Sequence, residues 1–297
     1  MNTTQPTLSW TGAVELSHWG LLRAEGNDAA SFLHGQLSND FKLLDGSLAR
    51  MAAFCSPKGR ILASLLGWKV EPHDIWLTCH RSVLAPTLKR LSMFVLRADC
   101  RLSDAQAAPG DEPAPRIWGL VGNAASMAMS GGGDLPLWGH RRLPHHHSLI
   151  RLPTVAGLER ALWIGPTPPE ATPLALDSWR WLEVQSGIPV IEAATSDQFV
   201  PQMINFEVVG GVNFQKGCYP GQEVVARSQY RGSTKRRMFL FEIDANTPAA
   251  LVSCQGSNAA CSLALKPDGV VASRRHSPSY DSSSRLASGL DGGAIKR

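Results

Sequence analysis

The chain has no C-x-x-C pair, and its six cysteines, Cys55, Cys79, Cys100, Cys218, Cys254 and Cys261, follow no framework spacing. No conventional zinc or iron–sulfur ligand set can be read from them, and the pattern predicts reduced thiols in a cytosolic protein rather than a disulfide scaffold. Nucleophile-elbow, P-loop, dinucleotide-fingerprint and zinc-protease motifs are all missing, so the common hydrolase and nucleotide-enzyme classes lose their sequence basis. The first twenty residues hold Glu15 but no Lys or Arg, and no apolar stretch of signal-peptide length. Neither export nor a basic presequence is indicated. No window approaches the roughly 20 apolar residues needed to span a bilayer, and the expectation is a cytoplasmic protein.

What is present is globular in character: 297 residues, 43% hydrophobic and 18% charged, with nine tryptophans against three tyrosines. The length suits two or three domains. A net charge of +4 is mild, and much of the excess is local, in Arg227, Arg231, Lys235, Arg236 and Arg237. That cluster is short and no stacking module surrounds it, so a solvated turn is preferred to nucleic-acid binding.

Strand and helix signals alternate along the chain. A strand over 20–26 precedes a helix over 29–37, for which Asn27 or Asp28 offers an N-cap. Residues 52–55 and 61–70 form a hairpin about the basic turn Pro57-Lys58-Gly59-Arg60, whose charges suit either solvent or an anionic ligand tail. A strand over 74–79, an amphipathic helix over 81–95, a linker near 104–115 and strands beginning at 117 and 161 follow. Residues 130–144 read as a surface loop. The run His145-His146-His147 reads as solvated loop rather than a metal site, because consecutive side chains converge poorly on one ion. Asp177 or Ser178 can cap a helix that stops at Gly187-Ile188-Pro189. Trp179 and Trp181 cannot share one face of that helix, which predicts that one indole is partly exposed, with Trp179 a candidate for ligand contact. Trp19 is open to two readings, a core position or a stacking platform for a planar ligand. A final strand spans 238–243, and beyond it Ser, Ala and Gly leave little to bury.

The organising stretch is Lys216-Gly217-Cys218-Tyr219-Pro220-Gly221-Gln222-Glu223. Glycine at 217 and 221 and proline at 220 predict a tight turn around Cys218. A thiol beside Lys216 is shifted toward thiolate only where the ammonium points at the sulfur. A nucleophilic role needs a histidine partner that the sequence does not name.

This stretch, with Phe199-Val200-Pro201-Gln202, Gly211, Arg227, Arg231-Gly232 and Lys235-Arg236, resembles the hallmark of the YgfZ family. The likeness extends to Gly26, Asp28, Phe32-Leu33, Gly35-Gln36-Leu37, Asp40 and the 57–60 turn, and covers roughly residues 15 to 240. YgfZ proteins are folate-binding relatives of the glycine-cleavage T-protein, associated with assembly or repair of iron–sulfur proteins. The resemblance implies an α+β, aminomethyltransferase-like multidomain fold around a central folate-binding opening. Residues 1–240 would form two intertwined α+β subdomains, and 241–297 a shortened, incomplete C-terminal β-barrel. Tetrahydrofolate is the implied cofactor, with Trp19 and Trp179 as its binding residues. Cys218 is the implied redox-sensitive or cluster-related thiol, in a setting shaped by Lys216, Gln222 and Glu223. The implied partners are iron–sulfur client proteins or assembly machinery, including those of tRNA modification, with no membrane, no direct nucleic-acid contact and no resident metal. The alternative is a folate-dependent aminomethyltransferase of the glycine-cleavage type.

Overall fold

The computed structural model describes residues 10–107, 113–145, 147–231, 236–240 and 259–260. Its frame is two five-stranded sheets in which every neighbouring pair is antiparallel. One sheet runs β1 (Gly12–Glu15), β7 (Arg116–Val121), β10 (Leu158–Gly165), β9 (His147–Val155) and β8 (His140–Leu143). The other runs β3 (Arg50–Cys55), β4 (Ile61–Glu71), β5 (Asp74–His80), β2 (Trp19–Glu25) and β6 (Arg101–Asp104). The short link Leu16-Ser17-His18 carries the chain from β1 in one sheet to β2 in the other.

β4 shows why the sheets stack. Its side chains alternate faces, so Leu66 and Trp68 enter the core between the sheets, together with Leu21 and Met51 from their own sheet and Ile117, Ile150 and Leu162 from the other. Ala63 and Leu65 point the opposite way, into a second core with Phe32 and Leu33 of α1 (Ala29–Gln36) and Leu84 and Leu91 of α2 (Arg81–Ser92). A third, smaller core lies under α3 (Asn123–Ser130), where Ala125 and Met129 cover Leu120, Leu149 and Ala161. The inter-sheet seam is also polar: Trp68 Nε1 donates to Ser148 Oγ at 3.1 Å, and Ala49 N to Trp138 O at 2.8 Å.

α4 (Leu176–Gln185) contributes Trp179, Trp181 and Leu182 to the inter-sheet core. Both tryptophans are buried, at 1% and 7% exposure, which overturns the expectation that one indole is partly exposed. The helix is covered on two sides. Trp179 lies on β7 where Gly119 makes room, since a Cβ there would sit 2.4 Å from the indole, while Trp181 meets Trp10 edge-on at 5.5 Å. Each indole removes about 150–250 Å² from water, roughly 4–6 kcal/mol before entropic losses, which outweighs the tidiness of a one-faced helix.

Other local expectations need correction. The N-cap of α4 is Ala175, leaving Asp177 and Ser178 inside the first turn. Asp28 occupies the N-cap position of α1 but makes no side-chain cap bond, and its carboxylate accepts from Asp99 N at 2.8 Å instead. Residues 140–143 of the expected loop are strand β8. His147 is buried at the start of β9, with Nδ1 2.9 Å from Pro144 O and Nε2 2.9 Å from Thr167 Oγ1, so it is no solvated loop residue. The barrel expectation for 241–297 falls outside the described residues except Ala259–Ala260, which pairs with Arg237–Met238. Gly232 and Lys235 of the hallmark and His146 also fall outside them. Among the described residues no helix is long and apolar enough to cross a membrane.

Candidate functional site

The segment after α4 straps back across the β3–β4 edge. Ile191 N donates to Ser64 Oγ at 2.9 Å, Ile61 N to Phe199 O at 2.8 Å, and Arg60 Nη1 to Gln198 O at 2.7 Å. Arg60 of the basic hairpin turn is therefore used on the strap's backbone. Between strap, α4 and the two sheets lies a cavity with about 540 Å³ of empty space, its open mouth included.

Trp19 and Trp179 both line this cavity, with Trp138 and apolar side chains such as Leu66 and Leu162. Trp19 is half-buried at the start of β2, and its Nε1 donates to Glu183 Oε1 at 3.2 Å. Glu183 stands one helical turn after Trp179 on α4, the spacing that puts two side chains on one face. Its other oxygen lies 3.7 Å from His18 Nε2. Arg160, from β10, is 2% exposed and its guanidinium carbon lies 4.8 Å from the Trp179 ring centroid. Burial pushes this guanidinium down to about 10, with Glu183 opposing the shift. Its Nη1 reaches Leu182 O at 3.4 Å, while Arg160 Nε and Trp179 Nε1 are buried without a hydrogen-bond partner.

Arg160 and Glu183 were missed by sequence reasoning, though each left a signal. Arg160 is a charge in phase with Leu158, Leu162 and Ile164 on the core face of a strand. Glu183 carried only its helical spacing from Trp179.

The cysteine loop forms elsewhere on the strap, against α1 and the hairpin. Asn213 Oδ1 accepts from Gln215 N at 2.8 Å and Lys216 N at 3.1 Å, starting the turn. Lys216 is 8% exposed, and its Nζ donates to His34 O and, at 2.8 Å, to Leu37 O, the carbonyls at the end of α1. An ammonium there satisfies orphan carbonyls and meets the negative end of the helix dipole. It also sits 4.8 Å from the Tyr219 ring centroid. Burial pushes Lys216 down to about 8, with Asp40 and Cys218 opposing. The ammonium is thus engaged by α1, while Cys218 is exposed. Cys55 and Cys79, by contrast, are buried thiols pushed up to about 12.

Gln222 begins α5 (Gln222–Tyr230) and points Nε2 at Lys216 O, at a loose 3.5 Å. Glu223 turns to solvent, 82% exposed, and pairs with Arg227 at 2.6 Å, so its contact is with its own helix. The loop is registered by two glycines. Gly221 has φ +80°, and a Cβ on it would lie 2.4 Å from Ser56 O and 2.7 Å from Gly59 Cα; Gly59 in turn has φ +70°. Hairpin and loop therefore meet backbone to backbone. A His34–Asp40 pair, Nδ1 to Oδ1 at 3.0 Å, lies beside Gly217, whose Cβ position is 3.6 Å from His34 Nε2.

The structure thus gathers Trp19 and Trp179 at one cavity and Lys216, Cys218 and Gln222 in one loop. No described residue of that loop lines the cavity; Tyr219 and Val225 reach only the core that holds Trp179.

No family model matches the chain. It is 28% identical over 237 residues to the tRNA-modifying protein YgfZ of Hamiltonella defensa subsp. Acyrthosiphon pisum (strain 5AT), a match covering 76% of this chain and 68% of that protein. Among solved structures, the glycine cleavage system aminomethyltransferase T of Bartonella henselae superimposes with a TM-score of 0.65 at 17% identity, covering 89% of this chain and 73% of that one. At that identity the likeness speaks for the fold, which is the α+β arrangement expected above. The chain is thus similar in sequence to a tRNA-modifying protein YgfZ and has the fold of aminomethyltransferase T.

Proposed function

We propose that the cavity beside α4 holds the pterin ring of tetrahydrofolate, and that the protein is an accessory factor for assembly or repair of iron–sulfur proteins, those of tRNA modification included. One observation carries the folate part: three indoles wall a cavity whose charged groups are one carboxylate, Glu183, and one buried guanidinium, Arg160. A planar heterocycle stacks on indole faces. The amino-pyrimidine edge of a pterin offers adjacent N–H donors, which a carboxylate accepts side by side; the oxygens of Glu183 keep lone pairs free beyond those facing Trp19 and His18. The orphaned donors Arg160 Nε and Trp179 Nε1 suit a ligand that brings acceptors. When bound, tetrahydrofolate supplies a carrier for one-carbon units.

The chain's own residues divide the remaining work. Trp19 covers a ring face, Trp179, packed between Gly119 and Arg160, backs the cavity and holds the guanidinium in place, and Glu183 orients the ring. Cys218 is the working thiol, exposed on a loop that Lys216 and Gln222 hold in shape. The likeness to a tRNA-modifying YgfZ protein supports the iron–sulfur reading. Aminomethyl transfer, the alternative, draws on the fold alone.

Isothermal titration tests the folate part: wild type binds tetrahydrofolate, and Glu183→Gln binds roughly tenfold or more weakly. No heat with wild type sinks it. Complementation of a strain lacking its own family member tests the thiol, with cluster occupancy of client proteins as the readout. Wild type rescues and Cys218→Ala does not; equal rescue removes the thiol from the mechanism. Formation of methylenetetrahydrofolate that survives Cys218→Ala selects the transferase.

A further inference from the structure

Arg160 has more donors than the protein satisfies. Its guanidinium carries five N–H groups, yet Nη1 makes one long bond, 3.4 Å to Leu182 O, and Nε has no partner. Among the described residues it forms no ion pair. The acid whose charge it feels, Glu183, is engaged by Trp19 and faced by His18. The indole beneath it, Trp179, is itself an orphan at Nε1. Burying a cation without a counter-charge or a full set of acceptors is among the costliest arrangements a fold can adopt. Here it stands at 2% exposure in the wall of an apolar cavity, where a well-packed aliphatic side chain would have served the core better.

The cost is recovered when a ligand brings an acceptor to that wall. Resting on the folate reading, we infer that Arg160 is the specificity-determining residue of the cavity, donating to the ring carbonyl of the pterin so that the site accepts a 4-oxo ring and rejects a 4-amino ring. A 4-amino group sets donor against donor and leaves the guanidinium as unsatisfied as before. Sites built to hydrogen-bond one substituent discriminate far more strongly against its loss than apolar pockets discriminate on size. The two rings are alike in shape, so stacking on Trp19 cannot tell them apart; the 4-amino ring also lacks the N–H beside its 2-amino group, so Glu183 contributes a share of the discrimination.

The test is titration of the full chain, under anaerobic reducing conditions, with tetrahydrofolate and with 4-amino-4-deoxytetrahydrofolate. Wild type prefers the 4-oxo form by about 10- to 100-fold. Arg160→Met keeps an apolar stem of similar length and lowers the preference about tenfold, leaving the share that Glu183 reads, while Arg160→Lys, a single point donor, falls between. Circular dichroism confirms that each variant is folded. A wild type that binds both forms equally overturns the inference whatever the variants do, and so does a preference undiminished in folded Arg160→Met. Binding of neither form by wild type overturns the folate reading itself and this inference with it.

Discussion

Replacing Gly221 by alanine tests whether the cysteine loop is locked to the β3–β4 hairpin by backbone contact. At φ +80° an L-residue meets a left-handed cost of roughly 1–2 kcal/mol. The new Cβ also falls 2.4 Å from Ser56 O and 2.7 Å from Gly59 N and Cα, atoms that cannot rotate aside, and such overpacking adds about 1–3 kcal/mol. Reduced freedom of the unfolded chain returns about 0.4–1 kcal/mol. The net loss is roughly 1–5 kcal/mol, against a total of about 5–15 kcal/mol for an ordinary domain. Gly210 provides the control, because it has the same φ of +80° but nothing within 4 Å of its Cβ position. Gly210→Ala meets the left-handed cost without the overlap. Urea unfolding followed by tryptophan fluorescence should therefore lower the midpoint clearly more for Gly221→Ala than for Gly210→Ala, at unchanged slope. Equal shifts would falsify the interlock, since the overlap would then contribute nothing.

Two further outcomes follow from the burial of single groups. Lys216 has its proton held more weakly in the folded chain, at about 8 against an ordinary 10.5. Between those values the unfolded state binds more protons, so this residue's contribution to stability rises with pH from about 8 to 10.5. The stability difference between wild type and Lys216→Met should climb across that window, and a flat difference refutes a buried ammonium. Of the four described cysteines, Cys218 alone is exposed. Brief alkylation followed by peptide mapping should label it ahead of Cys55, Cys79 and Cys100, and labelling of Cys55 at the same rate would contradict its burial.

Much of the frame was legible because it rests on local periodicity. The apolar run from Ile61 to Val70, the alternation around Leu21 and the helical spacing through Phe32 and Leu33 each name their element without reference to the rest of the chain. Errors arose where a partner distant in sequence decided the outcome. Trp179 and Trp181 were read against one helical face, but Gly119 and Trp10 cover the two sides. His147 was read as solvated, but Thr167, 20 positions on, meets its Nε2. Asp28 does occupy the N-cap position, but Asp99 N takes the carboxylate that would have capped the helix.

The sequence by itself determined the order of elements from β2 to α2, the tight turn around Cys218, and the two tryptophans worth watching, since residue type and spacing of near neighbours suffice for these. Only the tertiary structure decided that Trp19 and Trp179 meet at one cavity, that Arg160 and Glu183 supply its charge, and that the Lys216 ammonium serves the end of α1. It also showed that the glycines of the hairpin and of the cysteine motif are two halves of one contact. Those facts are distances between side chains more than a hundred residues apart in several cases, as with Trp19 and Glu183, 164 positions apart. Such distances are set by how two sheets and a strap pack, and local patterning carries no record of them.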